Sequence, residues 1–413
     1  MDAEIITIGD EIVTGHIVDT NAAYIAQQLT GIGVDVKRVT SVGDSLETMV
    51  EAFRLALKRA AVVVTTGGLG PTDDDITKKA IVKVFKRNLI FHEEVLADIR
   101  ARYAQRGIDM PAINQNQALL PQGAKLFPNR IGSALGICLE EKERIFIALP
   151  GVPVEMKQIL TDSVVPFLQG VNAHAALKTL RIRTTGIMES RLAEMISPGL
   201  KLEPGVRLAY LPSYGGIDLR IMASGESADN ADAKAQRLAR CLESVVGRYI
   251  YGGNDDTLEG VVGQLLKDND KTLAVAESCT AGQLGMLITS VPGSSAYFVG
   301  GIVAYSNDVK TSLLSVDPAI IAQYGAVSEE CAKAMADGCR KQLACDYALS
   351  VTGIAGPDGG TDDKPVGTTF IGLSSAHGSY CRKFNFGTHR ESNRARASYA
   401  ALELLRREIL DIR

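Results

Sequence analysis

The sequence predicts two three-layer α/β domains with mostly parallel sheets, joined by a small α+β middle domain. Three observations predict it. The chain has 413 residues, more than one hydrophobic core usually serves. Strand and helix patterns alternate over residues 1–170 and again from 272 onward, as in a parallel sheet covered by helices. Between them the order is strand, helix, hairpin, helix, strand, that of a compact α+β layer. The expected domains are therefore 1–170, 171–252 and 257–413.

The elements follow in order. AEIITIG (3–9) is an apolar run suited to a buried strand, and AAYIAQQLTGIG an amphipathic helix closed by Gly31 or Gly33. VDVKRVTSV is a strand, SLETMVEAFRLALKRA a helix with Ser45 at its N-cap, and AVVVTT a fully buried strand. The middle part contributes LKTLRIRTT, ESRLAEMI, the hairpin VRLAYLPSYGGIDLRIMAS, the helix DAKAQRLARCLESVV and RYIYG. In the last part TLAVAES, FVGGIVAYS and YALSVTG are core strands, with EECAKAMADGCRKQLA and RARASYAALELLRREIL as helices. Boundaries fall at QGVNAHAA (169–176) and at the polar, glycine-bearing GGNDD (252–256).

Composition narrows the function classes. With 46% hydrophobic and 22% charged residues and a net charge of −4, the chain lacks the basic surplus of a dedicated nucleic-acid binder. The start MDAEIITIGDEIVTG has no signal-peptide pattern, and no apolar run is long enough to cross a bilayer. Seven cysteines, none in a C-x-x-C pair, suggest free thiols, buried in the case of Cys241, Cys331 and Cys345. The expected location is the cytoplasm, with no membrane partner.

GGLGPTDDD (67–75) leaves the buried strand AVVVTT and opens a helix. Its glycines let backbone amides approach a phosphate at a helix N-terminus. Asp73, Asp74 and Asp75 would repel a bare phosphate, but a divalent cation can take one or two carboxylates together with phosphate oxygens. Acidic residues also favour the first turn of any helix. A second acidic segment, GDEIVTGHIVDTN (9–21), leaves another strand end and brings Asp10, Glu11 and Asp19. Ligands of parallel α/β sheets gather outside the carboxyl ends of the strands, where both loops should lie.

These segments, with NQNQALLPQGA and LPGVPVEM (149–156), resemble the N-terminal domain of CinA proteins, related to molybdopterin-binding enzymes. The resemblance implies a divalent metal (Mg, Mn or Co) and hydrolysis of ADP-ribose-like pyrophosphates, with molybdopterin adenylyl transfer as the relatives' chemistry. It places Asp10, Asp75, Glu155 and Asn21 at the site, Asp10, Asp74 and Asp75 on the metal, and Gly67, Gly68 and Gly70 around phosphate. NRIGSALG (129–136) departs from the family in having Leu135 where proline is usual, which bears on one pocket wall. The middle part resembles the family's KH-like region, yet 171–256 contains no GxxG, the loop with which KH domains clamp nucleic acid. Lys178, Arg181, Arg183 and Arg191 are expected on solvated faces, and the domain as a spacer or dimerisation module without specific nucleic-acid binding.

In the last domain AESCTAG (276–282) sets Ser278, Cys279 and Thr280 between a strand end and a helix beginning near Gly282. A nucleophile there is rigidly held, and amides of the following turn can face an oxyanion. YSNDVK (305–310) brings Tyr305, Asn307 and Lys310, and VTGIAGPDGG (351–360) brings Thr352 and Gly353, followed by Lys364 and VGTT (366–369). Singly, each has a plain structural explanation: Ser278 as a helix cap, Lys310 as a solvated helix residue, the glycines as a tight turn. Jointly they suggest a convergent site.

This half resembles the CinA C-terminal domain, whose family activity is deamidation of nicotinamide mononucleotide. The resemblance makes Ser278 the nucleophile and Lys310 its base, with no cofactor, and implies a homodimer. Cys279 is the rival nucleophile. In GTHRESNRAR (387–396), Arg390 and Arg394 share a helical face suited to a phosphomonoester, whereas His389 stands where the family pattern has aspartate. The implied whole is a bifunctional enzyme acting on nicotinamide mononucleotide and ADP-ribose. Its rivals are a molybdopterin-type adenylyltransferase and a regulatory nucleotide-binding protein of competence or DNA damage.

Overall fold

The computed structural model describes residues 1–72, 75–171 and 176–412. Asp73 and Asp74 therefore lie outside the described residues, as do four of the eight residues of the expected boundary at 169–176. The chain divides into two compact units, Met1–Lys178 with Ala223–Lys234, and Thr179–Met222 with Ala235–Arg413.

The N-terminal strands are β1 (Asp2–Ile8), β2 (Asp35–Val42), β3 (Val62–Thr66), β4 (Leu89–Phe91), β5 (Leu119–Pro121), β6 (Lys125–Phe127), β7 (Gly136–Glu141) and β8 (Arg144–Leu149). β4 and β5 form a separate antiparallel pair, and the others make one sheet in the order β2-β1-β3-β8-β7-β6. Its pairings are parallel from β2 to β8 and antiparallel beyond, as the β7–β8 turn requires. Successive strand residues face opposite ways, and both faces are apolar. Ile5, Val62 and Val64 pack with Ile25, Leu29, Met156 and Leu168 on one side. Ile6, Val63 and Phe146 pack with Met49, Phe53 and Ile81 on the other. Helices on both faces give the expected three layers.

The middle strands are β9 (Ala176–Thr184), β10 (Val206–Pro212), β11 (Ile217–Gly225) and β12 (Ile250–Gly253), in the order β10-β11-β9-β12. The C-terminal strands are β13 (Leu273–Glu277), β14 (Phe298–Val303), β15 (Tyr347–Gly353), β16 (Thr368–Ser375) and β17 (Gly378–Asn385), in the order β14-β13-β15-β16-β17. β13 runs parallel to both neighbours, and β16 and β17 are antiparallel. Val275, Leu349 and Ile371 pack with Val262, Leu402 and Leu405 on one face. Ala274, Ala276 and Ala348 meet Cys331, Met335 and Cys339 on the other. Among the described residues no helix is long and apolar enough to cross a membrane.

Several local expectations are corrected. Ser45 stands at the N-cap of the helix Leu46–Arg59, but its side chain makes no capping bond. Cys331 and Cys345 are buried free thiols, whereas Cys241 is exposed. It falls between the inward residues Leu238 and Leu242, off the apolar stripe of its helix. Of the four basic residues expected on solvated faces, Lys178 is half-exposed and Arg191 exposed, beside Asp232 and Glu194, whereas Arg181 and Arg183 are partly buried against Asp218. Arg183 also lies 5.7 Å over the Tyr251 ring.

Candidate active sites

In the N-terminal unit the loops after β1, β3 and β8 leave the carboxyl edge of the parallel strands. Gly67 and Gly68 have φ of 115° and 63°, backbone that side-chain-bearing residues rarely adopt. The turn is held by Gly67 N–H to the Leu149 carbonyl (3.0 Å) and by the Thr77 hydroxyl to the Gly67 carbonyl (2.9 Å). Asn21 is buried here. Its Nδ2 donates to Thr66 Oγ1 (3.2 Å) and the Gly151 carbonyl (2.8 Å), while its Oδ1 is buried without a partner. So Asn21, Gly67 and the β8 loop meet at one strand edge.

The acidic residues are differently employed. Asp75 accepts from Gly70 N–H (2.7 Å), Thr72 N–H (2.9 Å) and the Thr72 hydroxyl, so both its oxygens staple the loop containing Gly70. Asp10 and Asp44 cap each other, Asp10 N–H to Asp44 Oδ2 at 2.9 Å and Asp44 N–H to Asp10 Oδ1 at 3.1 Å. Glu155 accepts from Asn129 Nδ2 at 2.6 Å. Leu135, at the departure from the family pattern, packs against the core. Asp74 lies outside the described residues. Among the described residues no three His, Cys, Asp or Glu side chains are grouped to hold a metal ion, so these carboxylates do not form a ready-made metal cage.

Sequence reasoning missed Lys78. Its amine is buried and donates to the Asn116 carbonyl at 2.6 Å. Burial pulls its pKa down to about 8, against the opposing attraction of Asp75. The signal was present as the second residue of a helix opening beside an acidic loop, but its burial was not.

In the C-terminal half the loops after β13, β14 and β15 converge. Lys310, in the first turn of the helix Asn307–Leu314, is only 1% exposed and reaches back to the end of β13. Its Nζ donates to Ser278 Oγ at 3.1 Å and to the carbonyls of Ala304 (2.8 Å) and Tyr305 (3.2 Å). Burial lowers its pKa, with the Cys331 and Cys279 thiols opposing. Lys310 is thus not a solvated helix residue. Ser278 is not a helix cap either, since the next helix starts at Gln283 with Gly282 before it.

Cys279 is buried, and that burial pushes its thiol up to about 12. At neutral pH it carries almost no thiolate, the form that attacks. The two neighbours therefore differ sharply: a serine with a basic partner beside a thiol that stays protonated.

The surrounding candidates fall into place around this pair. Thr352 is buried and donates to the Ala326 carbonyl at 2.8 Å. At Gly353 a Cβ would come within 2.8 Å of the Thr368 carbonyl, so the strand end has no room for a side chain. Tyr305 and Asn307 are exposed at the rim. Arg390 donates to the Gly356 carbonyl (2.8 Å) and the Tyr305 hydroxyl (3.3 Å). Arg394 donates to the Thr280 carbonyl (2.7 Å) and its Nε is buried without a partner, as is Thr280 Oγ1. Arg394 therefore holds the nucleophile loop, while Arg390 links the loops after β14 and β15. Lys364 donates to the Tyr324 carbonyl at 2.8 Å.

A further residue escaped sequence reasoning. Glu277, the last residue of β13, is 1% exposed and accepts from the amides of Gly282 (2.9 Å), Leu284 (3.1 Å) and Gly285 (2.8 Å). A carboxylate at a helix N-terminus is favourably placed, and here it fixes the turn carrying Ser278, Cys279 and Thr280. Together Glu277 and Arg394 grip that turn from both sides.

Three family models match the chain: the probable molybdopterin binding domain over residues 4–170, the damage-inducible protein CinA KH domain over 179–252, and the CinA C-terminal domain over 255–409. The CinA-like protein of Cytophaga hutchinsonii is 42% identical over 412 residues, covering 100% of this chain and 99% of its own. That of Gemmatimonas aurantiaca is 42% identical over 411 residues, covering 98% and 96%. The crystal structure of CinA from Thermoplasma acidophilum is 38% identical and covers 39% of this chain and 94% of its own, with a TM-score of 0.37. With relatives this similar along its whole length, and each of its three parts matched in order, the chain belongs to the CinA family.

Proposed function

We propose that the C-terminal half hydrolyses the carboxamide of nicotinamide mononucleotide to nicotinate mononucleotide and ammonia. The observation that carries this reading is the buried Lys310–Ser278 pair at 3.1 Å. A neutral lysine amine has two hydrogens and one lone pair. With the hydrogens on the Ala304 and Tyr305 carbonyls, the lone pair is left to accept the Ser278 proton. Ser278 Oγ attacks the carboxamide carbon as Lys310 takes that proton. The tetrahedral oxyanion is met by the amides of Cys279 and Thr280, since those of Ala281 and Gly282 already donate to the Ser278 carbonyl and to Glu277. Collapse expels ammonia, with the proton returned by Lys310, and an ester to Ser278 remains. Water, deprotonated by the same amine, hydrolyses the ester and regenerates the serine. Arg390 and Tyr305, at the rim, are suited to the substrate's phosphate. Turnover of nicotinamide mononucleotide by the full chain and its loss in Ser278→Ala test the reading.

For the N-terminal half we propose hydrolysis of an ADP-ribose-like pyrophosphate. The support is the Gly67–Gly68 turn beside Asn21, whose buried Oδ1 is unpartnered, with the Lys78 amine on the neighbouring helix. A divalent cation (Mg, Mn or Co), if bound, would be held by Asp10, which has one oxygen engaged by Asp44, and would offset the charge of the pyrophosphate. Asp75 is engaged by its own loop. ADP-ribose turnover with and without EDTA tests the reading, and undiminished turnover in EDTA would sink the metal requirement. Homodimerisation is part of the same proposal and is read by sedimentation.

A further inference from the structure

The unit Thr179–Met222 with Ala235–Arg413 holds a cavity of about 210 Å³ that the proposed chemistry does not use. It is lined by Arg183, Tyr214, Tyr251, Glu259 and Tyr399, with Ser213, Gly215, Thr257 and Leu258, and by none of Ser278, Lys310, Thr352 or Arg390. The hairpin after β10 makes one wall. At Gly215 a Cβ would sit 3.2 Å from the Tyr399 ring, so the glycine lets the hairpin backbone lie close against that ring.

The lining sets the ligand chemistry. Tyr214, Tyr251 and Tyr399 line it, and aromatic rings are stacking surfaces for a planar group, the Tyr251 ring being already covered on one side by Arg183. Arg183 is already committed, its Nε to Asp218 Oδ1 at 3.2 Å and its Nη1 to the Asp256 carbonyl, and its guanidinium lies over Tyr251. It has little left for an anion. Glu259 lines the cavity, and its Oε2 is buried without a hydrogen-bond partner. Such a carboxylate calls for an N–H donor and disfavours phosphate. The volume is below the roughly 300–1,000 Å³ of sites for drug-sized ligands and suits a single ring system.

We propose that this cavity binds the amino-bearing base of a free nucleoside, stacked on the tyrosines with its amino group on Glu259. The proposal does not depend on the amidase reading, because binding and not turnover is measured. Titration of the full chain with adenosine by calorimetry should give saturable binding. Purine riboside lacks the amino group and should bind about tenfold more weakly, the loss expected for a hydrogen bond to a charged group. Glu259→Gln should weaken adenosine by a similar factor, while Tyr251→Phe, which keeps the ring, should not. Ser278→Ala and Asp75→Asn should leave the affinity unchanged, separating this cavity from the two candidate active sites. No saturable binding, equal binding of adenosine and purine riboside, or loss confined to Ser278→Ala or Asp75→Asn would overturn the proposal. So would an oligoadenylate binding far more tightly than adenosine, since that would make the occupant a nucleic acid.

Discussion

The Lys310 amine lies 3.1 Å from the Ser278 hydroxyl, with two backbone carbonyls holding it from the other side. A base must be neutral to act, and burial lowers this amine from the usual lysine value of 10.5. Amidase kcat/KM is expected to rise with pH along one limb whose midpoint lies below that value, then level off. Lys310→Arg, always charged, should lose the limb and nearly all activity. A flat profile from pH 6 to 10, or an active Lys310→Arg enzyme, would refute the assignment.

The same burial has a consequence for stability. A lysine whose folded pKa is depressed binds its proton more readily unfolded, so stability rises with pH between the folded and unfolded values. Lys310→Met removes this term. At pH 7 the variant should unfold at equal or higher denaturant concentration than the parent, and the pH dependence of the midpoint just below pH 10.5 should flatten. A clear loss of stability at pH 7 would show that Lys310 holds the fold together and not merely the site.

Glu277→Gln replaces a carboxylate that accepts three amides by a group with one acceptor oxygen. Hydrogen bonds to a charged group contribute about 1.5–3 kcal/mol each, and part of this survives with glutamine. We expect kcat to fall about 10- to 100-fold with KM little changed, because the turn presenting Ser278 and the oxyanion amides loosens. Arg394→Lys, which loosens the same turn through Thr280, should also act on kcat, whereas Arg390→Ala should act mainly on KM. Steady-state kinetics of the three variants separate these outcomes, and an equal KM effect in all three would contradict the division of roles.

The layers and sheets were legible because strand runs such as AVVVTT and TLAVAES are largely apolar on both faces, as in a sheet covered by helices on both sides. The strand-end motifs likewise located the loops that bring Ser278 to Lys310. What the sequence did not disclose is how each charge is employed. Asp75 looks like an open carboxylate in DDD, yet its own loop amides occupy both oxygens. Arg183 looks solvated but turns in over Tyr251. Glu277 ends an apolar strand with no pattern to mark it, because its partners are backbone amides, which every sequence has. Arg394 shares a helical face with Arg390, but three-dimensional packing sends one to the nucleophile loop and the other to the rim.

Asp75→Asn tests the loop staple in the N-terminal half. Asparagine keeps one acceptor oxygen and adds an NH2 donor facing the amides of Gly70 and Thr72. The loop should open, at about 1–3 kcal/mol for an unsatisfied group, with loss of ADP-ribose turnover and of thermal stability, while amidase activity persists. Turnover lost at unchanged stability would instead assign Asp75 a direct role at the reacting phosphates.

The most direct test of the central claim is nicotinamide mononucleotide turnover by the full chain and its Ser278→Ala and Cys279→Ala variants, assayed side by side. Ser278→Ala should lose several orders of magnitude in kcat with a modest change in KM, as when an interaction made in the transition state is removed. Cys279→Ala should keep most activity, since burial holds that thiol at about 12. An inactive Cys279→Ala enzyme beside an active Ser278→Ala enzyme would contradict the account.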